Sequence, residues 1–369
     1  MARILLTGAT GFLGAFMLDE LLQQSRADLY CLVRSESEAA GMERLRANLE
    51  KYELSTEGLA DRVIVVCGDI AKPLLGLSQE TYDRLAEETQ VVYNNGAAVH
   101  FGLPYETVRQ PNVVGTRSLL EFACTGRTKA FHHVSSISVF TGAAYPDGTT
   151  IPEDEPLDFA KAPLEAYSRS KWAAEALVAE AGRRGLPVAI YRPGRITGHS
   201  ETGSANVGDL VYRTLLGSIR AGAAPDLEML VDMTPVDYVA KALVHLSLRQ
   251  PADGRAYHLV SPNPARLETV ADWVRKMGAS LETMGLHEWR ARLAADEDNE
   301  LAGLLAMFAE GELPPEIFEP YFASDRTQAI LAEAGIYCPP FGPDLLRKYV
   351  GAVADRNRNG RSSEATAGS

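Results

Sequence analysis

The sequence predicts an α/β fold, in which a doubly wound parallel sheet carries helices on both faces and a smaller, mostly helical C-terminal subdomain follows. Three observations predict this fold. Short aliphatic segments alternate with amphipathic segments of helical period through the first half of the chain. A glycine-rich turn joins the first strand to the first helix, and after Gly198 the alternation gives way to a loop and helical segments. Such alternation is typical of βαβ units, which build parallel sheets.

Each element follows from its local pattern. The predicted strands are short and aliphatic, as strands buried on both faces should be. They span residues 4–6, 29–33, 63–66, 91–93, 130–134 and 188–191, with a return to the sheet near 257–260. The predicted helices span residues 13–24, 38–52, 113–124 and 164–184.

Composition bounds the class of protein. The chain has 369 residues, of which 46% are hydrophobic and 23% charged, as in ordinary globular proteins. Its net charge of −13 argues against a large surface that binds nucleic acid and against electrostatic attraction to an anionic membrane. The first strand begins at Arg3, which leaves no room for a signal peptide, and no apolar run is long enough to span a bilayer. We expect a cytoplasmic enzyme.

Cysteine and histidine give no metal signal. The four cysteines form no C-x-x-C pair, and Cys31 and Cys67 lie in strand-like runs, so we expect reduced core thiols. The adjacent His132 and His133 point to opposite faces of a predicted strand, so they do not form a metal pair. We expect no metal.

The glycine-rich turn is typical of a dinucleotide site in a Rossmann-type domain. It places backbone amides and the positive end of a helix where a pyrophosphate can sit, and its glycines allow the backbone to come close. The motif alone is weak, since such turns are common. The candidate cofactor-binding residues of this turn are Gly8, Thr10, Gly11, Phe12, Leu13 and Gly14.

Arginines at the end of the second strand favour NADPH. Arg34 lies twenty residues beyond Gly14, where an acidic residue would bind the ribose 2′-hydroxyl of NAD. An arginine there suits a 2′-phosphate, and Arg44 on the following helix is a second candidate clamp. The alternative is two solvated surface arginines.

Small and polar residues at two further strand ends complete the predicted cofactor site. Asp69 is placed to accept a hydrogen bond from the adenine amino group, with Ile70 beside it. Asn95, Ala97 and Ala98 follow the fourth strand, where small residues let the backbone pass beneath the ribose. Turn chemistry explains both segments equally well.

A serine, a tyrosine and a lysine form the predicted catalytic set. Tyr167 and Lys171 lie four residues apart on one face of a predicted helix. A nearby ammonium lowers the pKa of a phenol from about 10, so that Tyr167 exchanges a proton near neutral pH, and it also binds the nicotinamide ribose. Ser136 follows the fifth strand, where its hydroxyl reaches the oxyanion made by hydride addition. Pro193 and Ile196, after the sixth strand, are placed to shape the loop over the nicotinamide, although Pro193 also simply stops a strand.

These residues resemble the extended short-chain dehydrogenase/reductases. The runs LLTGATGFLGAFMLDELL, YCLVRS, VVYNNGAAVHF and TPVDYVAKALVHLS are similar to its thioester reductase branch, which includes terminal reductase domains of nonribosomal peptide and polyketide synthetases and of carboxylic acid reductases. The resemblance covers Arg3 to about Tyr349. It selects Ser136 over Ser135 and Ser138 as catalytic, and it assigns Arg34 and Arg44 to the 2′-phosphate of NADPH.

The resemblance implies a reaction, a partner and a domain organisation. The reaction is NADPH-dependent release of an acyl or peptidyl thioester from the phosphopantetheine arm of a carrier protein, as an aldehyde or further as an alcohol. We expect 1–198 to bind NADPH with a return segment at about 231–262, 199–230 and 263–353 to face substrate and carrier protein, and 354–369 to be a disordered tail. A carrier protein is acidic, so Arg213 and Arg220 are candidate docking residues, against the alternative of solvated helix residues. The early Met favours a free-standing protein over an excised domain.

Three other functions remain open. A fatty acyl-CoA reductase shares the chemistry but takes a CoA thioester. An extended-type carbonyl reductase or epimerase acting on a small molecule or a sugar nucleotide would more often use NAD, which Arg34 disfavours. A non-catalytic NADPH-binding regulator is disfavoured by the intact set of Ser136, Tyr167 and Lys171.

Overall fold

The computed structural model describes residues 2–100, 103–141, 145, 148–296, 299, 301 and 320–352. The strands are β1 (Arg3–Thr7), β2 (Asp28–Val33), β3 (Val63–Cys67), β4 (Val91–Asn94), β5 (Ala130–Val134), β6 (Thr150–Ile151), β7 (Val188–Pro193), β8 (Ile196–Thr197), β9 (Ala223–Pro225), β10 (Leu230–Val231), β11 (Thr234–Pro235), β12 (Asp253–Leu259), β13 (Ala265–Arg266), β14 (Glu282–Met284) and β15 (Tyr321–Phe322).

The α-helices are α1 (Phe12–Gln24), α2 (Glu38–Lys51), α3 (Leu59–Arg62), α4 (Gln79–Glu88), α5 (Tyr105–Arg109), α6 (Gly115–Cys124), α7 (Ala166–Arg183), α8 (Leu210–Ala221), α9 (Val236–Arg249), α10 (Leu267–Lys276), α11 (Leu286–Ala294) and α12 (Asp325–Glu333). Residues 343–352 are also helical.

Seven strands form the central sheet, in the order β3-β2-β1-β4-β5-β7-β12, and all neighbouring pairs are parallel. The aliphatic pattern that predicts these strands is explained by their burial: Leu5, Val92 and Phe131 are fully buried. The strand order reverses direction between β1 and β4, and in sheets of this kind ligands bind at the carboxyl ends of the strands beside that reversal. The predicted doubly wound α/β fold is confirmed.

The helix before β5 differs from its prediction. The sequence predicts a helix over 113–124, whereas α5 begins at Tyr105 and a π-helical turn, Gln110–Val114, connects it to α6. Pro111 lies in that turn. Because proline has no backbone N–H and disrupts a regular helix, its position reads as a break, but the wider turn accommodates it without ending the helix.

Contacts divide the chain into two compact units. As far as their residues are described, the first unit comprises 1–194, 238–260 and 320–337, and the second comprises 195–237, 261–319 and 338–369. This division differs from the expected one chiefly at 320–337, because β15 pairs in parallel with β6 in the first unit. The expected tail at 354–369 lies outside the described residues.

The second unit has its own apolar core. Buried side chains from α8, α10 and the helical segment 343–352 pack together, among them Tyr212, Val274, Leu346 and Tyr349. Two short parallel pairs, β8 with β11 and β9 with β14, and one antiparallel pair, β10 with β13, supply its strands. Among the described helices of the chain, none has the length and apolar character needed to cross a membrane.

Candidate active site

The glycine-rich turn between β1 and α1 is built by close backbone contact. Gly8 has a φ of +74°, which side chains disfavour. A Cβ atom on Gly8 would lie 2.8 Å from the amide nitrogen of Gly96, and one on Gly14 would lie 1.9 Å from the carbonyl oxygen of Gly8. The turn therefore requires glycine at both positions. Gly11 donates its amide to the Gly8 carbonyl at 2.9 Å, and α1 begins one residue later.

The first turn of α1 lies open at this point. Gly11 is exposed, and Thr10, Phe12 and Leu13 are half-buried. Among the described side chains, none caps the first turn of α1, and that turn contains no acidic residue. The amides at this helix end are therefore arranged as an anion site requires.

Asn48 holds the glycine turn from the neighbouring helix, and sequence reasoning missed it. Its side-chain nitrogen Nδ2 lies 3.1 Å from the carbonyl oxygen of Ala9 and 3.0 Å from that of Gly11. A single asparagine on the charged helix α2 carries no motif, so only the packing of α2 beside the turn identifies it.

Arg34 and Arg44 lie together, as the NADPH prediction requires. Arg34 follows β2 directly, and both side chains are exposed. The guanidinium of Arg44 donates a hydrogen bond to the backbone carbonyl of Arg34. The guanidinium of Arg44 therefore lies beside the backbone of Arg34 at the carboxyl end of β2. Contact of either arginine with a cofactor stays a prediction.

At the end of β3, hydrogen bonds of Asp69 stabilise the local turn. This is the structural role that the sequence analysis gives as the alternative to adenine binding. Its Oδ1 accepts the amide of Ala71 at 3.0 Å, and its own amide donates to the carbonyl of Leu75 at 2.7 Å. Ile70 packs closely beside Gly96 and Gly115, since a Cβ atom on Gly115 would lie 3.0 Å from the Ile70 side chain. Both residues are thus held rigidly at the carboxyl end of β3.

The segment after β4 is also fixed. The Thr7 hydroxyl oxygen accepts the amides of Asn95 at 3.1 Å and Gly96 at 2.9 Å, which ties the ends of β1 and β4 together. Ala97 follows, and Ala98 is bonded through both its amide and its carbonyl to the side chain of Asn112, at 2.7 Å and 3.0 Å. Asn112 lies in the π-helical turn and is a second residue that sequence reasoning missed.

The candidate catalytic side chains come from β5 and α7. Glu165 caps α7 by accepting the amides of Tyr167 at 2.8 Å and Ser168 at 2.7 Å, which fixes the start of that helix. Tyr167 and Lys171 are 8% and 5% exposed. The Lys171 Nζ donates to the carbonyl oxygen of Val134, the last residue of β5, at 2.6 Å. Since Ser136 follows Val134 by two residues, the lysine and the serine are held at one end of β5.

Burial changes the titration of the lysine. Loss of hydration lowers the pKa of Lys171 to about 8, while the carboxylate of Glu175 opposes that shift. The ammonium form of Lys171 is therefore present near neutral pH, but it is lost in mildly alkaline solution.

The adjacent serines at the end of β5 differ in their surroundings. Ser135 is buried and donates a hydrogen bond to the Oε2 atom of Glu175. Ser136 is half-buried, and its hydroxyl oxygen accepts the amide of Ser138 at 3.1 Å. By these bonds Ser136 keeps its hydroxyl proton for another acceptor, whereas Ser135 does not. The catalytic role of Ser136 stays a prediction.

Buried polar side chains form two hydrogen-bonded sets, and each set includes one residue of α7. We call the first the neutral network; its members are Asn94, Asn112, Thr116, His133 and Ser170. We call the second the charged network; its members are Ser135, Glu153, Glu175, Arg192, His258 and Thr327. All of these side chains are buried.

The remaining candidates lie at the end of β7 or in the second unit. Pro193 is buried at the end of β7, where Gly194 continues the sheet contact by donating to Leu259 at 2.9 Å. Ile196 lies in β8 of the second unit. On α8, Arg213 is half-buried, and the Nε atom of Arg220 forms an ion pair with Asp296 at 2.7 Å. The charge of Arg220 is therefore already balanced.

Comparison with known proteins identifies the family. Residues 6–243 match the family described as Male sterility protein, a family of NAD-binding domains. The terminal R domain of the myxalamid PKS-NRPS pathway is 45% identical, with a TM-score of 0.91 over 97% of this chain and 91% of that one. A thiolation-reductase di-domain from an archaeal non-ribosomal peptide synthetase is 25% identical, with a TM-score of 0.79 over 97% and 76%.

A curated relative gives the same result over a longer polypeptide. One of the subunits of linear gramicidin synthase from Brevibacillus parabrevis is 38% identical over 352 residues, which cover 94% of this chain but 7% of that protein. The chain thus spans only a small part of that relative. It belongs to the Male sterility protein family, as a reductase domain of the extended short-chain dehydrogenase/reductase type that uses a nicotinamide cofactor.

Proposed function

We propose that this protein releases an acyl or peptidyl thioester from the phosphopantetheine arm of a carrier protein as an aldehyde, with NADPH as reductant. The observation that carries the proposal is the bond from Lys171 Nζ to the Val134 carbonyl, because it places the lysine of the Tyr167 helix at the strand end that bears Ser136. The similarity to terminal R domains supports a thioester substrate.

The residues of the glycine turn fit a dinucleotide. A Cβ atom at Gly14 would fill the place where the turn meets α1, and the first amides of that helix face an anion with no acidic side chain in the first turn. Thr10 to Gly14 would hold the pyrophosphate, Arg34 and Arg44 the 2′-phosphate, and Asp69, Ile70, Asn95, Ala97 and Ala98 the adenosine side and the riboses.

The chemistry of the protein residues then follows. NADPH, when bound, supplies the hydride that adds to the thioester carbon. Ser136 and Tyr167 donate hydrogen bonds to the oxygen that receives the displaced electron pair, and Tyr167 transfers its proton to that oxygen. Lys171, as an ammonium, stabilises the phenolate that remains. The resulting hemithioacetal breaks its carbon–sulfur bond, which leaves an aldehyde and the free thiol of the carrier arm.

A carrier protein is proposed as the partner because the similar proteins are parts of synthetases, and one solved structure joins a thiolation domain to the reductase domain. The net charge of −13 means that an acidic carrier requires a local positive surface. Arg213 remains a candidate for that surface, whereas the ion pair with Asp296 makes Arg220 a weaker one.

The choice of NADPH is tested at Arg34. Replacing it with serine removes the cation at the end of β2, so the KM for NADPH should rise by about ten- to a hundredfold while the KM for NADH changes little. Arg46, a half-buried arginine of the same helix as Arg44, provides the control variant Arg46→Ser. An unchanged preference between the two cofactors in Arg34→Ser would refute this assignment.

The substrate class is tested by presenting one acyl chain in three forms: on a carrier protein, as the CoA thioester and as the free aldehyde. NADPH consumption followed by absorbance should be fastest with the carrier-bound form and should yield the aldehyde or the alcohol. A clear preference for the CoA ester would make the protein an acyl-CoA reductase. Activity on the aldehyde alone would make it a carbonyl reductase.

A further inference from the structure

Glu175 is the centre of the charged network. It lies one helical turn beyond Lys171 on α7, and it is 1% exposed. Its Oε1 atom accepts from Arg192 Nη2 at 2.7 Å and from Arg192 Nε at 3.1 Å, and its Oε2 atom accepts from the hydroxyl of Ser135. Because a buried carboxylate is costly unless it is paired, this geometry stabilises Glu175 as a charged group.

Arg192 holds the other side of the pair. Its guanidinium lies 4.6 Å above the ring centre of Phe140, and its Nη1 atom donates to the Glu153 carbonyl at 3.2 Å. Nη1 also lies 3.2 Å from Nε2 of His258. Since arginine has only donors, His258 accepts at Nε2 and carries its proton on Nδ1, which donates to the Ala323 carbonyl at 2.7 Å.

The charged network and Lys171 contact the chain on both sides of Ser136. On the N-terminal side, Lys171 bonds the Val134 carbonyl and Glu175 bonds the Ser135 hydroxyl, so two successive turns of α7 hold the end of β5. On the C-terminal side, the short helix Ile137–Phe140 ends in the ring on which Arg192 stacks. The place of Ser136 relative to α7 is thus determined by contacts on both sides.

We propose that Glu175, held by Arg192, is a positioning residue for the reduction: through Ser135 it sets the place of the Ser136 hydroxyl, and through its negative charge it keeps Lys171 an ammonium. This inference rests on the proposed roles of Ser136 and Lys171. Neither residue of the pair touches the reacting atoms in this account, so each acts through its neighbours.

The charges near Lys171 determine whether loss of Glu175 raises or lowers the pKa of that lysine. Glu175 and Tyr167 are on its own helix, His133 faces it from β5, and Arg192 on β7 is neutralised by Glu175. Burial, with the nearby Lys171, holds the pKa of His133 well below its usual value, so His133 is neutral at working pH. Glu175 is therefore the group that favours the ammonium, and its loss should move the alkaline decline in rate to lower pH.

The first test removes only the bond between Glu175 and the strand end. Ser135→Ala should lower kcat by about ten- to a hundredfold, because small displacements of a catalytic group have effects of this size, and should leave the KM for NADPH unchanged. Ser168→Ala is the matched control, since that buried hydroxyl on α7 has no hydrogen-bond partner among the described residues. Equal kcat values in the two variants would overturn the proposal.

The second test removes the charge. Glu175→Gln should shift the alkaline limb of kcat/KM to lower pH by about one unit, and Glu175→Asp should return it toward the wild-type position because the carboxylate is restored. Glu180→Gln, at a half-buried position of α7 where the carboxylate pairs with Arg184, is the control. An alkaline limb that stays in place in Glu175→Gln would overturn the proposal. If Glu175→Gln does not fold, the kcat of Ser135→Ala relative to Ser168→Ala tests the positioning role of Glu175.

Both tests use whichever of the three substrate forms the wild-type protein reduces. Failure of the wild type on the carrier-bound thioester contradicts the proposed function alone, since reduction of a free aldehyde needs the same serine, tyrosine and lysine. Failure of the variants to differ from their controls contradicts the positioning role alone. The two results are therefore separate.

Discussion

The neutral network and the charged network hold the same helix, α7, but with different chemistry. In the neutral network, Ser170 donates to the Tyr167 carbonyl at 2.6 Å, and Asn112 donates to Ser170 at 2.8 Å. These bonds connect the start of α7 to the backbone of Ala98 beside the predicted cofactor site. In the charged network, Glu175 connects the next turn of α7 to Ser135 after β5 and to Arg192 on β7.

The difference in chemistry separates orientation of the helix from control of the charge on Lys171. Amides and hydroxyls orient a helix without changing the charge state of their neighbours, whereas a buried carboxylate orients and also favours a nearby cation. Burial lowers the pKa of Lys171 to about 8, and the carboxylate of Glu175 opposes that shift. Changes in the neutral network should therefore alter stability and rate without moving the pH profile, and changes in the charged network should move it.

The largest effect should come from the proton donor itself. Tyr167→Phe removes the proton donor, and we expect turnover to fall by about 10²- to 10⁴-fold while the Kd for NADPH changes little. NADPH fluorescence measures binding, and absorbance measures turnover. Full activity in this variant would refute the catalytic assignment, whichever network positions the residue.

Asn112→Ala should have the next largest effect. It leaves the Ala98 amide without its acceptor and breaks the link to Ser170, so we expect a loss of about 2–4 kcal/mol in the free energy of unfolding. Urea unfolding measures this loss. The comparison further requires that the alkaline limb of kcat/KM keeps its wild-type position, and a shift of that limb would mean that the neutral network also controls the charge on Lys171.

Ser170→Ala should have the smallest effect. It removes one buried donor to the Tyr167 carbonyl and one buried acceptor for Asn112. We expect the free energy of unfolding to fall by about 1–2 kcal/mol. Ser168→Ala on the same helix is the control, and its free energy of unfolding should stay near that of wild type. A loss in Ser168→Ala as large as in Ser170→Ala would show that the networks are not what stabilises α7.

The sequence allows the sheet, the glycine turn and the catalytic set to be predicted because each depends on local pattern. Alternating aliphatic segments specify the strands, and the spacing of Tyr167 and Lys171 places them on one helical face. The choice between Ser135 and Ser136 needed a family resemblance, since both follow the same strand. The bond from Ser135 to Glu175 gives a physical argument for the predicted choice of Ser136, but it joins residues forty positions apart.

Residues that act through long-range contacts were not predictable. Asn48 and Asn112 bond backbone atoms of distant segments, and an isolated asparagine carries no spacing signal. The pairing of β15 with β6 was missed for a similar reason, because two-residue strands have no measurable period. The start of the helix at Tyr105 was also not predicted. A proline such as Pro111 occurs both at a helix break and in a π-helical turn, so the sequence does not distinguish the two.

Reductive release of a thioester can be tested by following the hydride from NADPH into the product. The carrier-bound thioester is incubated with NADPH that carries deuterium at both C4 positions, and the released product is analysed by mass spectrometry. We expect an aldehyde with one deuterium on its carbonyl carbon, or an alcohol with two, together with a free thiol on the carrier. Release of an unlabelled acid, with no NADPH consumed, would contradict it.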